Sequence, residues 1–177
     1  MNQEIVIRRA NAGDAKLISQ LSAVTFYDTF VDTCTPEDMQ QFIEESYNEG
    51  LISRELADEN DFYFIAFSGD EPIGYLRLKE DKSDVPIVNQ HVSVELKRLY
   101  VLKEFKGKKV GPGLMNFALG WANEREYQLM WLGVWEHNER AKAFYKKNGF
   151  METGYSHPFP IGNTPQTDIW LYKILAK

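Results

Sequence analysis

One tyrosine, one glutamate and one loop of lysines and glycines carry the chemistry open to this chain. Tyr145 lies in the stretch 138–150. There Ala141, Phe144, Tyr145 and Asn148 recur at i, i+3, i+4 and i+7, which is one face of a helix. Asn138 suits the N-cap, because its side chain can accept from an orphan N–H of the first turn. Gly149 suits the C-terminal stop, where a residue free to take positive φ is wanted. The inward face puts the Tyr145 phenol beside the end of a strand. A core aromatic at that position fits equally.

The loop is Lys106, Gly107, Lys108, Lys109, Val110, Gly111, Pro112 and Gly113. It follows a strand that ends Leu99, Tyr100, Val101, and it precedes a helix from about Gly111. Leu114, Phe117, Ala118, Trp121 and Ala122 give that helix its apolar face. Pro112 is tolerated in the first turn, where its missing N–H costs little. A strand, a glycine-lysine loop and a helix N-terminus form a phosphate site, since backbone N–H groups and the helix dipole face the anion and lysines add charge. A solvated basic loop is the plainer reading of the same residues. The strand itself changes phase. Val92, Val94 and Leu96 share one parity, Leu99 and Val101 the other, and a β-bulge across Lys97-Arg98 accounts for the switch.

These groups need a frame. Leu129 to Trp135 is an unbroken apolar run, as expected for a central strand covered on both faces. Upstream, the pattern predicts a strand over 5–9, a helix beginning over 15–21 and helices over 36–48 and 51–57. It also predicts a hairpin of 62–67 with 73–79 and a polar loop over 80–90. Strands over 150–154 and 167–174 follow, around a loop holding His157, Pro158, Pro160 and Pro165. The expected class is α/β (α+β): a mixed, mostly antiparallel central sheet with a bulge in the strand before the glycine-lysine loop, flanked by helices, in one domain over 1–177.

Composition narrows the function. The chain has 177 residues, 44% hydrophobic, enough for a full core. Its single cysteine, Cys34, allows no internal disulfide and suits a reducing compartment. His91, His137 and His157 are too scattered for a local metal motif, so no metal is expected. The N-terminal residues carry no apolar signal core, and no run of about 18 apolar residues is present. The expected location is therefore cytoplasmic, with no membrane partner. A net charge of −6 weighs against nucleic acid and is compatible with a cationic substrate.

Asn138 through Phe150 and the segment from Ser93 to Met115 together resemble the GNAT superfamily of acetyl-coenzyme A-dependent N-acetyltransferases. The first carries Asn-x-x-Ala-x-x-Phe-Tyr-x-x-x-Gly-Phe without a gap. The diphosphate loop aligns as Lys106 to Gly111, with Lys106 where arginine or glutamine is usual and Lys109 where glycine is usual. A longer register, Lys108 to Gly113, restores both glycines but stretches the loop. Short words at Leu21 to Phe30, Trp131 to Glu136 and Gln166 to Asp168 further resemble the PaiA-type spermidine/spermine N-acetyltransferases.

The resemblance implies acetyl-CoA as co-substrate, held by Leu99, Tyr100, Val101, Lys106 to Pro112, Asn138 and Tyr145. A primary amine, with a pKa near ~10.4, arrives protonated and needs a base. Glu95, where several GNAT enzymes carry a glutamate, or a water chain would serve. Tyr145 would protonate the departing thiolate. A backbone N–H near Leu99 to Val101 would stabilise the developing oxyanion. The implied partner is a small-molecule amine, with homodimerisation left open. Phe26, Tyr27, Asp28 and Asp32 are the expected acceptor residues. Asp28, Asp32, Glu37, Asp38, Glu44 and Glu45 form a rim for a polyamine, or else a solvated acidic face. Peptide N-termini, and a non-catalytic acetyl-CoA-binding module, are the other readings.

Overall fold

The computed structural model describes residues 4–175, so the first three residues of the N-terminal stretch read above lie outside it. Seven strands form one sheet: β1 (Ile5–Arg9), β2 (Asp61–Ser68), β3 (Glu71–Lys79), β4 (Ser93–Val101), β5 (Leu129–Trp135), β6 (Met151–Pro158) and β7 (Thr167–Ile174). Their order is β1-β2-β3-β4-β5-β7-β6. Only β4 and β5 run parallel; the other neighbours are antiparallel. The helices are α1 (Ala15–Phe30), α2 (Pro36–Ser46), α3 (Glu49–Ala57), α4 (Pro86–Asn89), α5 (Val110–Glu124) and α6 (Glu139–Lys147).

The central strands are buried on both faces, and their alternation sorts side chains into two layers. Phe64 and Ala66 of β2 join Leu114, Met115 and Ala118 of α5 on one side, where Phe144 of α6 also packs. Tyr63 and Ile65 face Ile18 and Leu21 of α1 and Ile52 of α3 on the other. Each fully buried side chain of this size contributes about 1.5–3 kcal/mol relative to exposure.

Two expectations change. The polar stretch 80–90 contains α4, a single turn opened by Pro86 and packed through Val88 beside Leu129 and Trp131. His157 and Pro158 belong to β6, not to a loop, because they pair with Asp168 and Thr167 of β7. The sheet edge extends this strand beyond what its own polar sequence signals.

The phase change in β4 is a bulge. Arg77 pairs with Arg98 and Leu78 with Leu96, leaving Lys97 over. A bulge bends a strand and increases its twist. β4 pairs with β5 only at Ser93, Val94 and Glu95, opposite Leu129, Met130 and Trp131. Both strands continue, but their ends diverge. The end of β4 stays paired to β3 through Leu99, Tyr100 and Val101. Its opposite edge is left free at the place where a ligand can add to the sheet.

Candidate active site

Two cavities open where β4 and β5 part, and Leu99, Tyr100, Asn138, Ala141 and Tyr145 line both. Asn138 caps α6 by accepting from the Ala141 N–H at 3.1 Å, which fixes the first turn of that helix against the gap. Tyr145 lies two turns along, with its ring edge against Phe144 and Phe150. Burial alone pushes its phenol pKa up, so the hydroxyl stays a proton donor at neutral pH.

The first cavity, about 530 Å³, is also lined by Val101, Lys106, Gly107, Lys109, Gly111 and Pro112. Gly113, needed by the longer register, is not among the lining residues. The first N–H groups of α5 have no intrahelical acceptor and carry the positive end of the helix dipole. With Lys106, Gly107, Lys109 and Gly111 around them, they suit a diphosphate. Lys109 takes φ 64°, the left-handed conformation that glycine adopts without strain, at a cost of order 1–3 kcal/mol. Two expected residues point elsewhere. Lys108 lies over the Phe105 ring at 4.7 Å, and Val110 is buried in the core under α5.

The second cavity, about 410 Å³, is walled by Phe30, Phe42, Trp135 and Phe159, and Glu95 and Asp168 bring carboxylates to it. Glu95 is 5% exposed, so it is not a surface charge on a strand face. Desolvation raises its pKa, and Lys97 at 3.0 Å opposes that rise. Lys97 also reaches Asp81 at 3.2 Å. Arg77 and Arg98 line the cavity as well. Arg77 is held by Asp61 at 2.6 Å and Glu55 at 3.0 Å, and Arg98 donates to the Tyr63 hydroxyl at 2.8 Å.

The four acceptor residues expected from sequence are not brought together. Phe26 is fully buried behind the wall, stacked on Phe30 and Phe42. Tyr27 lines a separate groove with Val31 and Ile43. Asp28 lines the lysine-glycine cavity, and Asp32 is exposed and lines neither. Asp38 is no part of an acidic, cation-attracting rim either. It accepts from the Asn163 N–H at 2.9 Å and the Thr164 hydroxyl at 2.6 Å, tying α2 to the turn after β6.

Asp168, His157 and Trp170 were missed as site residues. The word Gln166 to Asp168 was the available signal, but nothing in it says that the aspartate is buried. Among the described residues no group of three or more His, Cys, Asp or Glu is placed to hold a metal ion. No described helix is long and apolar enough to cross a membrane.

A bulged strand parting from its parallel neighbour, a glycine-lysine turn into a helix, and a capped helix presenting a tyrosine to the gap define the class of N-acetyltransferases. The comparisons agree. The acetyltransferase (GNAT) family profile matches residues 23–150, and the chain belongs to that family. It is 38% identical over 156 residues to an uncharacterized N-acetyltransferase of the pepI 3′ region of Lactobacillus delbrueckii subsp. lactis, covering 88% of this chain and 89% of that one. It is 27% identical to a spermidine N(1)-acetyltransferase of Thermoplasma acidophilum, over 82% of this chain and 88% of that one. The PaiA N-acetyltransferase of Thermoplasma acidophilum in complex with coenzyme A has the same fold, with a TM-score of 0.78 at 22% identity. That match covers 97% of this chain and 99% of that one.

Proposed function

We propose that the protein transfers the acetyl group of acetyl-CoA to a primary amine of a small polyamine, spermidine or spermine. One observation carries this reading. Tyr145 stands at the junction of a lysine-glycine cavity and an aromatic cavity that holds two buried carboxylates. The first suits an anionic coenzyme and the second a slender cation. The co-substrate supplies an activated acetyl thioester. Lys106, Gly107, Lys109 and Gly111 hold its diphosphate, and the free edge of β4 orients the arm that carries the thioester. Tyr145 keeps its proton until a thiolate forms beside it, then donates it.

In the acceptor cavity, Trp135, Phe30, Phe42 and Phe159 flank the methylene segments of the amine, and ring faces attract its ammonium groups. Glu95 and Asp168 supply opposite charge. The Thermoplasma relative named as a spermidine acetyltransferase supports this acceptor, and the coenzyme A complex of PaiA supports the coenzyme. The test is a panel of spermidine, spermine, an arylamine, an aminoglycoside and a peptide N-terminus, followed by thiol release. Polyamines are expected to give the highest kcat/KM. A peptide that outcompetes both polyamines would replace this reading with N-terminal acetylation.

A further inference from the structure

Two neighbours place Asp168 in the acceptor cavity. On β7 it stands opposite Trp135 of β5 and opposite His157 of β6. His157 lies flat on Trp170, with ring centroids 4.0 Å apart and planes 6° off parallel. Beneath them is Gly133. A Cβ there would come within 3.1 Å of Asp168 Oδ2, 2.9 Å of Trp170 and 3.4 Å of His157. Glycine thus leaves the cavity floor bare where the three side chains converge. Asp168 is 9% exposed, and its Oδ1 has no hydrogen-bond partner among the described residues; neither has His157 Nδ1. A buried carboxylate oxygen left without a donor is an unmade interaction that a ligand can complete. Glu95 Oε2 is also buried without a hydrogen-bond partner, but it has an ion-pair partner in Lys97 at 3.0 Å, where Asp168 has none among the described residues.

We propose that Asp168, and not Glu95, receives the ammonium group of the acceptor and takes its proton. The proposal rests on the reading above, that a protonated amine is the acceptor. Glu95, fixed by Lys97, stays a charge that orients the cation. The groups facing the same cavity are Glu95, Lys97, Arg98 and Tyr100 from β4, Arg77 from β3, His157 from β6, Tyr47 beyond α2 and Tyr145 from α6. Both arginines are engaged as described, and no ion pair reaches Asp168 among the described residues. Burial without a countercharge pushes its carboxyl up to about 7, a proton affinity suited to exchange near neutrality. Burial and Lys97 push His157 down, so the imidazole is neutral there and does not hold Asp168 ionised.

The step balances as follows. The ammonium gives one proton to Asp168. The freed lone pair forms the C–N bond to the thioester carbonyl carbon, and the C–S bond breaks with its electrons on sulfur. Nitrogen loses its second proton to solvent as the amide forms, sulfur gains one from Tyr145, and solvent returns one to Tyr145, so these transfers cancel. One proton per turnover leaves Asp168 for solvent.

The test uses Asp168→Asn, which keeps the shape, and Glu95→Gln beside it, with spermidine as acceptor. Wild-type kcat/KM should fall below about pH 7 as Asp168 protonates. Asp168→Asn should lower kcat/KM at pH 7 by about 10²–10⁴-fold, the scale of lost general-base help. It should also remove that limb. Its rate should then climb with pH toward the pKa of the free amine, near ~10, because only unprotonated amine reacts. Glu95→Gln should lower the profile but keep the limb. Melting temperature and its rise with coenzyme A show that both variants are folded. The proposal is overturned if Asp168→Asn keeps the wild-type limb, or if the limb disappears in Glu95→Gln instead. A wild-type protein that acetylates no amine overturns the functional reading, and this proposal with it.

Discussion

Burial decides what Tyr145 can do as a single residue. Its phenol is pushed up by desolvation, with no charged partner to hold it ionised, so it stays protonated across the neutral and mildly alkaline range. Tyr145→Phe keeps the ring packed against Phe144 and Phe150 and removes only the hydroxyl. It should lower kcat by about 10²–10⁴-fold, the scale of lost general-acid help, with coenzyme A affinity nearly unchanged. Single-turnover rates with and without the hydroxyl decide this, and an unaltered chemical step would return Tyr145 to the core. Tyr145 and Asn138 were legible because helix periodicity, a cap and a stop occupy one contiguous stretch. Asp168 was not, because an isolated aspartate in a mixed strand has no pattern of its own. Its burial and its missing partner come from Gly133 and His157, on two other strands. The aromatic wall was little legible: Phe30 ends the early word Leu21 to Phe30, whereas Phe42, Trp135 and Phe159 arrive from α2, β5 and the turn after β6, with no spacing that joins them.

Elements hold the wall in place through one clasp. Asp38 sits at N3 of α2 and receives the Asn163 N–H and the Thr164 hydroxyl, while Gln166 donates to the Thr33 carbonyl at 3.0 Å. Gly162 lies so close that a Cβ would meet Asp38 Oδ1 at 2.4 Å, and its φ is +55°. These hydrogen bonds hold the Asp38 carboxyl below its ordinary value. Its contribution is therefore present above the unfolded pKa and is lost as pH falls through the folded one. Asp38→Ala should free the turn carrying Phe159, raising the acceptor KM several-fold while leaving coenzyme A binding intact. Gly162→Ala should do the same through a clash. Steady-state kinetics in both substrates separates the two effects, and an equal rise in both KM values would mean general unfolding. The order and type of the strands and longer helices were legible from periodicity, and so was the bulge, because a switch of parity within a strand has few other causes. The clasp was not, since its halves lie some 125 residues apart. Asp38 was therefore read as one more charge on an acidic face.

With a polyamine as acceptor, the whole molecule must attract an anion and a cation with a net charge of −6. It does so by separating them. The lysines cluster at the turn into α5, and two buried carboxylates lie in the neighbouring cavity. Binding of coenzyme A should therefore be a local event that the overall charge opposes only weakly, because exposed charges beyond about 8–10 Å are screened at moderate salt. At a hundredfold excess over Kd, ligand adds about 2.7 kcal/mol to stability. For a chain of this size that is a rise in melting temperature of about 5–10 °C. Adenosine, which lacks the diphosphate, should give almost none of it. Raising salt from low to physiological should shrink the coenzyme A shift, because Lys106 and Lys109 are exposed at the cavity mouth. It should also raise the KM for spermine more than that for a monoamine, since more charge pairs are screened. A melting curve unmoved by millimolar coenzyme A would leave the fold standing and remove the coenzyme from it. A shift that salt leaves untouched would mean that backbone N–H groups at the α5 N-terminus hold the diphosphate without help from the lysines.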